Sequence, residues 1–355
     1  MNYCYRFPVV KGIQAGREYF IAMVPLNMLR KLFPDDEEYV LPEFRAQRKL
    51  NEARIPEIKK YIINNQETYV FSALAASIDG KFKFIPSEQG EIGVLEVDMS
   101  AKFLINDGQH RKAAILAAIE ENHDLDNETI SVVFYEDQGL ARSQQMFTDL
   151  NKHAVKTSNS IAELYDSRDA LAVTTRKIIS ENEFLNEYVD KEKDYLGKYS
   201  SALFTLNTFY TSNKRVLRRG VCDQQFEIFL KNFWGLIVAN MVPWNDVKNK
   251  EISKKELREQ YIATQAVVIQ AFGRVGAYLY EHPEYRLEKY LSKISKINWK
   301  RSSGDWKMRV IRSNGHMINN GDAILLAGNV IKNYLGLPLT EDEATAEQKF
   351  TGNML

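Results

Sequence analysis

The sequence predicts a mixed α/β (α+β) protein in two parts: an α/β domain over residues 1–160, then a mainly helical domain with basic segments over 161–355. Three observations carry this. Short β-branched and aromatic runs alternate with helical periodicities before residue 160. Helical spacing dominates afterwards. At 355 residues with 45% hydrophobic and 26% charged content, the chain can bury one large or two modest cores.

In the first part, Tyr5–Val10 and Tyr19–Pro25 read as a hairpin around the turn-like Gly12–Gly16. Pro42–Leu50 leads into a helix over Ala53–Asn64, with Ile55, Ile58, Tyr61 and Ile62 at helical spacing. Tyr69–Ile78 is a predicted strand, closed by the Asp79–Gly80 turn and followed by Phe82–Ile85; Gly93–Asp98 and Phe103–Ile105 are two more. Gln109–Asn122 is a helix whose expected buried side is Ala113, Ala114, Leu116, Ala117 and Ile119. Ile130–Tyr135 is a strand and Leu140–Leu150 a helix.

In the second part, Ser160–Tyr165, Asp169–Asn182 and Gln224–Asn240 are helices. Ser253 and Glu256 form a capping box, opening a helix expected to run through Tyr280 with Tyr261, Val268, Phe272, Val275 and Leu279 on one stripe. A final helix, Asp322–Leu335, stops at Gly336 with Pro338 beyond it. The acidic tail after Thr340 is expected to fray.

Lys+Arg and Asp+Glu both number 47, so nucleic-acid binding would have to come from local patches. Cys4 and Cys222 are too few for a thiolate metal site and suggest two reduced thiols. The N-terminal MNYCYRFPVV lacks a signal-peptide pattern, and no apolar run reaches the roughly 20 residues of a spanning helix. A cytoplasmic protein with no membrane partner is expected. His123, His153, His282 and His316 have no paired-ligand spacing, and there is no Walker A loop or G-x-S-x-G elbow.

The chemistry concentrates in FLINDGQHRKAAILAAI, residues 103–119. A buried strand delivers Asp107 and Gly108 to a helix start. Gly108 permits a tight turn and close approach of a ligand to the backbone. The first-turn amides, Gln109, His110 and Arg111 could then cradle phosphate. The competing reading is structural: Asp107 caps the helix and Arg111 is merely solvated. Asn51 and Arg54, at i, i+3, either complete that pocket or serve as cap and surface charge. Asp107 is the candidate catalytic group, and Asp107 with Asp149 the candidate Mg²⁺ ligands; cap and turn roles compete for both.

The stretch Asp107-Gly108-Gln109-His110-Arg111 is the pentapeptide for which the DGQHR-domain family is named, and the chain resembles that family. Gln47-Arg48-x-x-Asn51-x-x-Arg54 upstream and Phe147-Thr148-Asp149-Leu150-Asn151 downstream resemble its flanking segments, together covering about residues 40–160. Chain length and the helical second half look like the DndB group, regulators in DNA phosphorothioate modification. The resemblance implies an N-terminal domain similar to the ParB/sulfiredoxin fold. A sulfiredoxin-type site has Cys immediately before the His-Arg pair; here that position is Gln109, whose amide forms no thiolate. Sulfur chemistry at this turn is therefore not implied.

Two basic segments stand out in the second part. Asn213–Gly220 carries Lys214, Arg215, Arg218 and Arg219 without an acid. Lys289–Arg312 carries eight basic residues, Lys296, Lys300 and Arg301 among them, against Asp305 alone. Tyr290, Trp299 and Trp306 are interleaved; the tryptophans are expected to anchor the core and the cations to meet DNA phosphates. A helix pair near Leu217–Asn232 fits the outline of a helix-turn-helix without identifying one.

The leading expectation is a regulator that binds double-stranded promoter DNA in a phosphorothioation operon, with other proteins of that system or a second copy of itself as further partners. A compatible version has a nucleotide, with Mg²⁺, gate DNA affinity from the DGQHR pocket. The alternative is a Mg²⁺-dependent nucleotide triphosphatase or DNA nickase using that pocket.

Overall fold

The computed structural model describes residues 3–34, 51–152, 157–197 and 200–352, and the chain divides into two compact units, Met1–Val155 and Lys156–Leu355. The architecture is mixed α/β, as the sequence predicts: a mixed sheet in the first unit and mostly helix in the second.

The first unit contains β1 (Cys4–Gln14), β2 (Arg17–Pro25), α1 (Leu29–Leu32), α2 (Ile55–Asn64), β3 (Leu74–Asp79), β4 (Phe82–Pro86), β5 (Ile92–Asp98), β6 (Lys102–Asp107), α3 (Gln109–Glu121), β7 (Thr129–Glu136) and α4 (Leu140–Lys152). The hairpin is present and tighter than expected. Ala15 and Gly16, at φ 52° and 75°, form the loop between paired Gln14 and Arg17, the left-handed pair that two-residue hairpins favour.

The seven strands lie in the order β4-β5-β1-β2-β7-β3-β6. Only Gly80 and Lys81 separate β3 from β4, although these strands hold the sixth and first places. In a flat sheet those places would be roughly 24 Å apart. Three peptide steps reach only about 11 Å. The sheet must therefore coil, and its interior shows it: Phe103 of β6 lies 6.4 Å from Phe7 of β1 and 5.6 Å from Phe134 of β7, between ring centroids.

Two sequence expectations shift here. The strand expected from Tyr69 begins only at Leu74, because residues 69–73 bond elsewhere: Tyr69 donates to Glu128, Val70 N to Tyr61 Oη, and the Ser72 and Ala73 carbonyls accept from Arg111. In α3 the buried side is Lys112, Ala114, Ile115, Ala118 and Ile119, while Ala113, Leu116 and Ala117 are half-buried. The face is turned to place Ile115 and Ala118 against the sheet core. Pro42–Leu50, Gln47, Arg48 and His153 lie outside the described residues.

The second unit contains α5 (Asn159–Tyr165), α6 (Ala170–Glu181), α7 (Glu183–Tyr188), β8 (Val189–Asp190), β9 (Phe204–Thr205), α8 (Leu206–Leu217), α9 (Gln224–Asn240), α10 (Val242–Lys248), α11 (Lys254–Gln260), α12 (Ala266–Glu281), α13 (Leu287–Leu291), α14 (Gly321–Leu335) and α15 (Glu341–Gly352). Its core is aromatic, with Phe209, Phe226, Phe233, Trp234, Trp244, Phe272 and Trp306 fully buried. Helices α8 and α12 cross closely because Gly273 has no side chain: a Cβ there would lie 2.6 Å from the Ser212 carbonyl.

The helix expected from Ser253 to Tyr280 is two helices. Ser253 does cap α11, accepting from Glu256 N at 3.0 Å. After Gln260 the chain turns to pair with residues 299–301: Ile262 N donates to Trp299 O at 2.9 Å and Arg301 N to Gln260 O at 2.8 Å. Tyr261 thus leaves the stripe, while Val268, Phe272, Val275 and Leu279 keep it on α12. Residues Glu341–Gly352, expected to fray, form α15. Thr340 and Glu343 make a reciprocal capping box, each backbone amide donating to the other's side chain, at 3.0 Å and 3.4 Å.

Candidate functional site

The turn after β6 is built around a glycine that no other residue replaces easily. Gly108 has φ 103°, and a Cβ there would lie 2.4 Å from a Leu74 methyl. Asp107 does not cap α3: among the described residues no side-chain cap is seen at its N-terminus. Instead the Asp107 carboxylate accepts from Arg111 Nη2 at 2.6 Å. Arg111 Nη1 donates to the Ser72 carbonyl and hydroxyl, both at 2.6 Å, and to the Ala73 carbonyl at 2.8 Å. Its side chain is 17% exposed. The guanidinium is thus a clamp joining the incoming chain, the end of β6 and the first turn of α3. It is not merely a solvated charge: Nη1 and Nη2 are both engaged within the protein.

His110 brings in the second sequence-flagged segment. Its Nε2 accepts from Asn51 N at 3.0 Å, so Nε2 is the unprotonated ring nitrogen. Asn51 Oδ1 in turn accepts from Ala53 N at 3.2 Å, a local cap. Arg54, three residues on, is exposed and is not drawn into the Arg111 network. Gln109 is half-buried at the first helical position. The uncapped amides of this turn, with His110 and Gln109, are what an anion would meet. Asp149 lies exposed on α4, accepting from Gln145 at 2.6 Å, and no contact joins it to Asp107. Among the described residues no group of three His, Cys, Asp or Glu side chains could hold a metal ion.

The basic segments of the second unit divide by environment. In the first, Lys214 is exposed beside the Tyr210 ring, and Arg219 is exposed. Arg215 is bound to Gln270 Oε1 and Arg218 to Glu281 at 2.5 Å. Burial, with the nearby Arg274 charge, lowers the Arg215 pKa. The helix pair near Leu217–Asn232 is α8 and α9, but α8 packs chiefly on α12.

In the second segment Arg301 donates to the carbonyls of Tyr261 and Arg258, Lys293 to Leu335 O at 2.5 Å, and Arg309 pairs with Glu347. The other five cations, Lys289, Lys296, Lys300, Lys307 and Arg312, are exposed and have no ion pair among the described residues. Trp299 and Trp306 stack in the core at 5.4 Å, 2% and 0% exposed, so neither is available to a base. The tryptophans pin the segment while its lysines face solvent.

A family model described as "DNA-sulfur modification-associated", that of DndB, matches residues 7–338. The chain belongs to the DndB family. Membership ties it to a DNA sulfur modification system and spans the Gly108 turn and both basic segments; α15 follows the last matched residue. No curated protein and no solved structure matches the chain. The ParB-like N-terminal fold therefore stays an expectation from sequence. Among the described residues, no helix of this DndB-family chain is long and apolar enough to cross a membrane.

Sequence reasoning missed Ser72 as the main partner of Arg111, and the carboxylates of α15. No local pattern marks Ser72. Thr340 and Glu343, three apart before a helix, were a capping-box signal for α15.

Proposed function

We propose that this DndB-family chain is a DNA-binding regulator of a phosphorothioate modification operon, a repressor or accessory factor that engages the phosphate backbone of promoter DNA through its second unit. The observation that carries the reading is the set of five exposed cations, Lys289, Lys296, Lys300, Lys307 and Arg312, lacking acidic partners on a segment anchored by two core tryptophans. Unpaired cations can release counterions on meeting phosphate, whereas Arg301 and Arg309 are part-buried and bonded within the protein and Arg218 is paired with Glu281 at its surface. Lys214 and Arg219 are the remaining candidates from the first basic segment.

The test is duplex binding measured across a salt series. Replacing Lys296, Lys300 and Lys307 by Ala should weaken binding and flatten the slope of log K against log salt by about 0.9 for each phosphate no longer neutralised. An unchanged slope in a folded triple variant would remove the reading.

A second, compatible reading draws on the uncapped first turn of α3. A nucleotide phosphate bound by the amides of residues 108–111, beside His110 and Asn51, would bias DNA affinity without chemistry. Nucleotide with Mg²⁺ should then raise the melting temperature. Duplex and nucleotide should also tighten each other's binding equally. The triphosphatase or nickase alternative asks more of the site, since Asp107 must leave Arg111 to hold Mg²⁺ or orient water. Turnover abolished by Asp107→Ala would favour it.

A further inference from the structure

Helix α15 is an unusual element to find docked. Its twelve residues include four acids and one lysine, and only Glu343 is fully buried. It is held by ions. Glu343 lies 2.6 Å from Lys332 Nζ on α14 and 3.2 Å from Arg274 Nη2 on α12. Glu347 makes a bidentate pair with Arg309, whose guanidinium also lies 4.1 Å over the Phe350 ring. The surface beneath α15 is polar to match: Asn329 Nδ2 donates to Glu343 O at 2.9 Å and Glu347 Oε2 at 3.1 Å.

Two features, the orphan atoms and a cleft, show this interface to be imperfectly closed, and its central ion pair is buried. Arg274 Nε and Asn329 Oδ1 are buried with no hydrogen-bond partner among the described residues. Burial lowers the Lys332 pKa, and Glu343 is the carboxylate that opposes the shift. The last turn of α15 leaves a cleft of about 350 Å³ against α14, with Lys307, Arg309 and Tyr334 in its wall. Undocking would give water to the two orphan atoms and to both ions of the Lys332–Glu343 pair.

We infer that α15 is an acidic latch covering a second cationic face, formed by Arg274, Lys332 and Arg309, and that the phosphate backbone of duplex DNA displaces it. The inference rests on the DNA-binding reading proposed above and adds regulation to it. Arg218 is near enough for its charge to bear on Lys332, and Arg215 sits beside Arg274. With α15 released, cations that the closed form neutralises internally would join the exposed lysines of 289–312. The carboxylates of Glu343 and Glu347 occupy in the closed form the positions that phosphate oxygens take in the open one, since both are acceptors suited to an Arg fork.

The test uses the full chain, with backbone hydrogen exchange and duplex affinity as separate readouts. In the wild type, saturating duplex should speed amide exchange across residues 341–352. Glu347→Gln should do so without DNA, tighten duplex binding about fivefold, and steepen the salt slope by about 0.9 per additional phosphate neutralised. Thr340→Val, which weakens docking without altering charge, should move both readouts the same way. Unchanged or slower exchange in 341–352 with duplex bound, together with unaltered affinity in folded variants, would overturn the latch and leave the DNA-binding reading standing. Absence of duplex binding in the wild type and both variants would overturn both. Binding by Glu347→Gln alone would support a closed latch. The wild-type exchange experiment needs no variant to fold.

Discussion

The turn at Gly108 and the α14–α15 interface both join arginine to carboxylate, and they do so to opposite effect. At the turn, Arg111 reaches Asp107 four residues away and two carbonyls on the chain entering β3, and each donor lands on an acceptor at 2.6–2.8 Å. Beneath α15, Arg274, Arg309 and Lys332 meet two glutamates from one short helix, and two polar atoms are left without partners. The first junction is closed by several short bonds. The second is charged on both sides and incomplete. A conspicuous motif can therefore be structural, while an inconspicuous acidic tail can hold the cations a partner would want.

The largest effect expected from this contrast is at Gly108. Gly108→Val combines a left-handed φ, which costs about 1–3 kcal/mol, with a clash against Leu74 that adds a similar amount. Chemical denaturation of the first unit should register most of that sum; a loss below about 1 kcal/mol would mean the turn is pliable. Arg111→Met should follow, at about 1–2 kcal/mol, because it strands the part-buried Ala73 carbonyl and the Asp107 carboxylate, while the Ser72 carbonyl is exposed to water. The same change should leave duplex affinity nearly unaltered, since this arginine is a clamp.

Glu343→Gln sharpens the other side. Removing one partner of a buried ion pair costs about 3–5 kcal/mol when the remaining charge stays buried. Lys332 is 1% exposed, so an integral α15 would show that full loss. A latch limits it: the helix undocks and Lys332 reaches water, so the expected loss is about 1 kcal/mol with a drop in helicity.

How much was legible beforehand follows the same line. The seven strands of the first unit, three of its helices, the hairpin and the Gly336 stop could be read because their signals are local: alternation, helical spacing, turn residues, a glycine after the last apolar residue. The break between α11 and α12 could not, because it is made by residues 299–301 pairing with the chain some forty positions earlier. Arg111 and Ser72 are equally remote, so the pentapeptide did not announce the clamp that the structure has. In α15, four acids and few apolar residues read as a solvated tail, since their counterions lie on α12, α14 and at Arg309. The lysines of 289–312 were legible as a patch, but which were free depended on folded partners.

A further effect depends on pH and concerns a part-buried acid in the second unit. Glu163 on α5 is pushed up to about 8, first by burial and then by the charges of Asp194 and Asp169, and its Oε2 has no partner among the described residues. Its folded value exceeds its unfolded value of 4.5, so the folded state binds the extra proton. Stability should fall as pH rises from about 4.5 to 8 and level off above that. Glu163→Gln should flatten the decline, as followed by denaturation midpoints across that window; an identical decline in the variant would assign it elsewhere.

Lysine acetylation footprinting, with and without duplex, asks whether DNA meets the second unit and not the α2–α3 face of the first. Protection of Lys296, Lys300 and Lys307, with Lys59 and Lys60 on α2 unaffected, is the expected result. Protection confined to Lys59 and Lys60, with the 289–312 lysines acetylated as fast as in free protein, would contradict it.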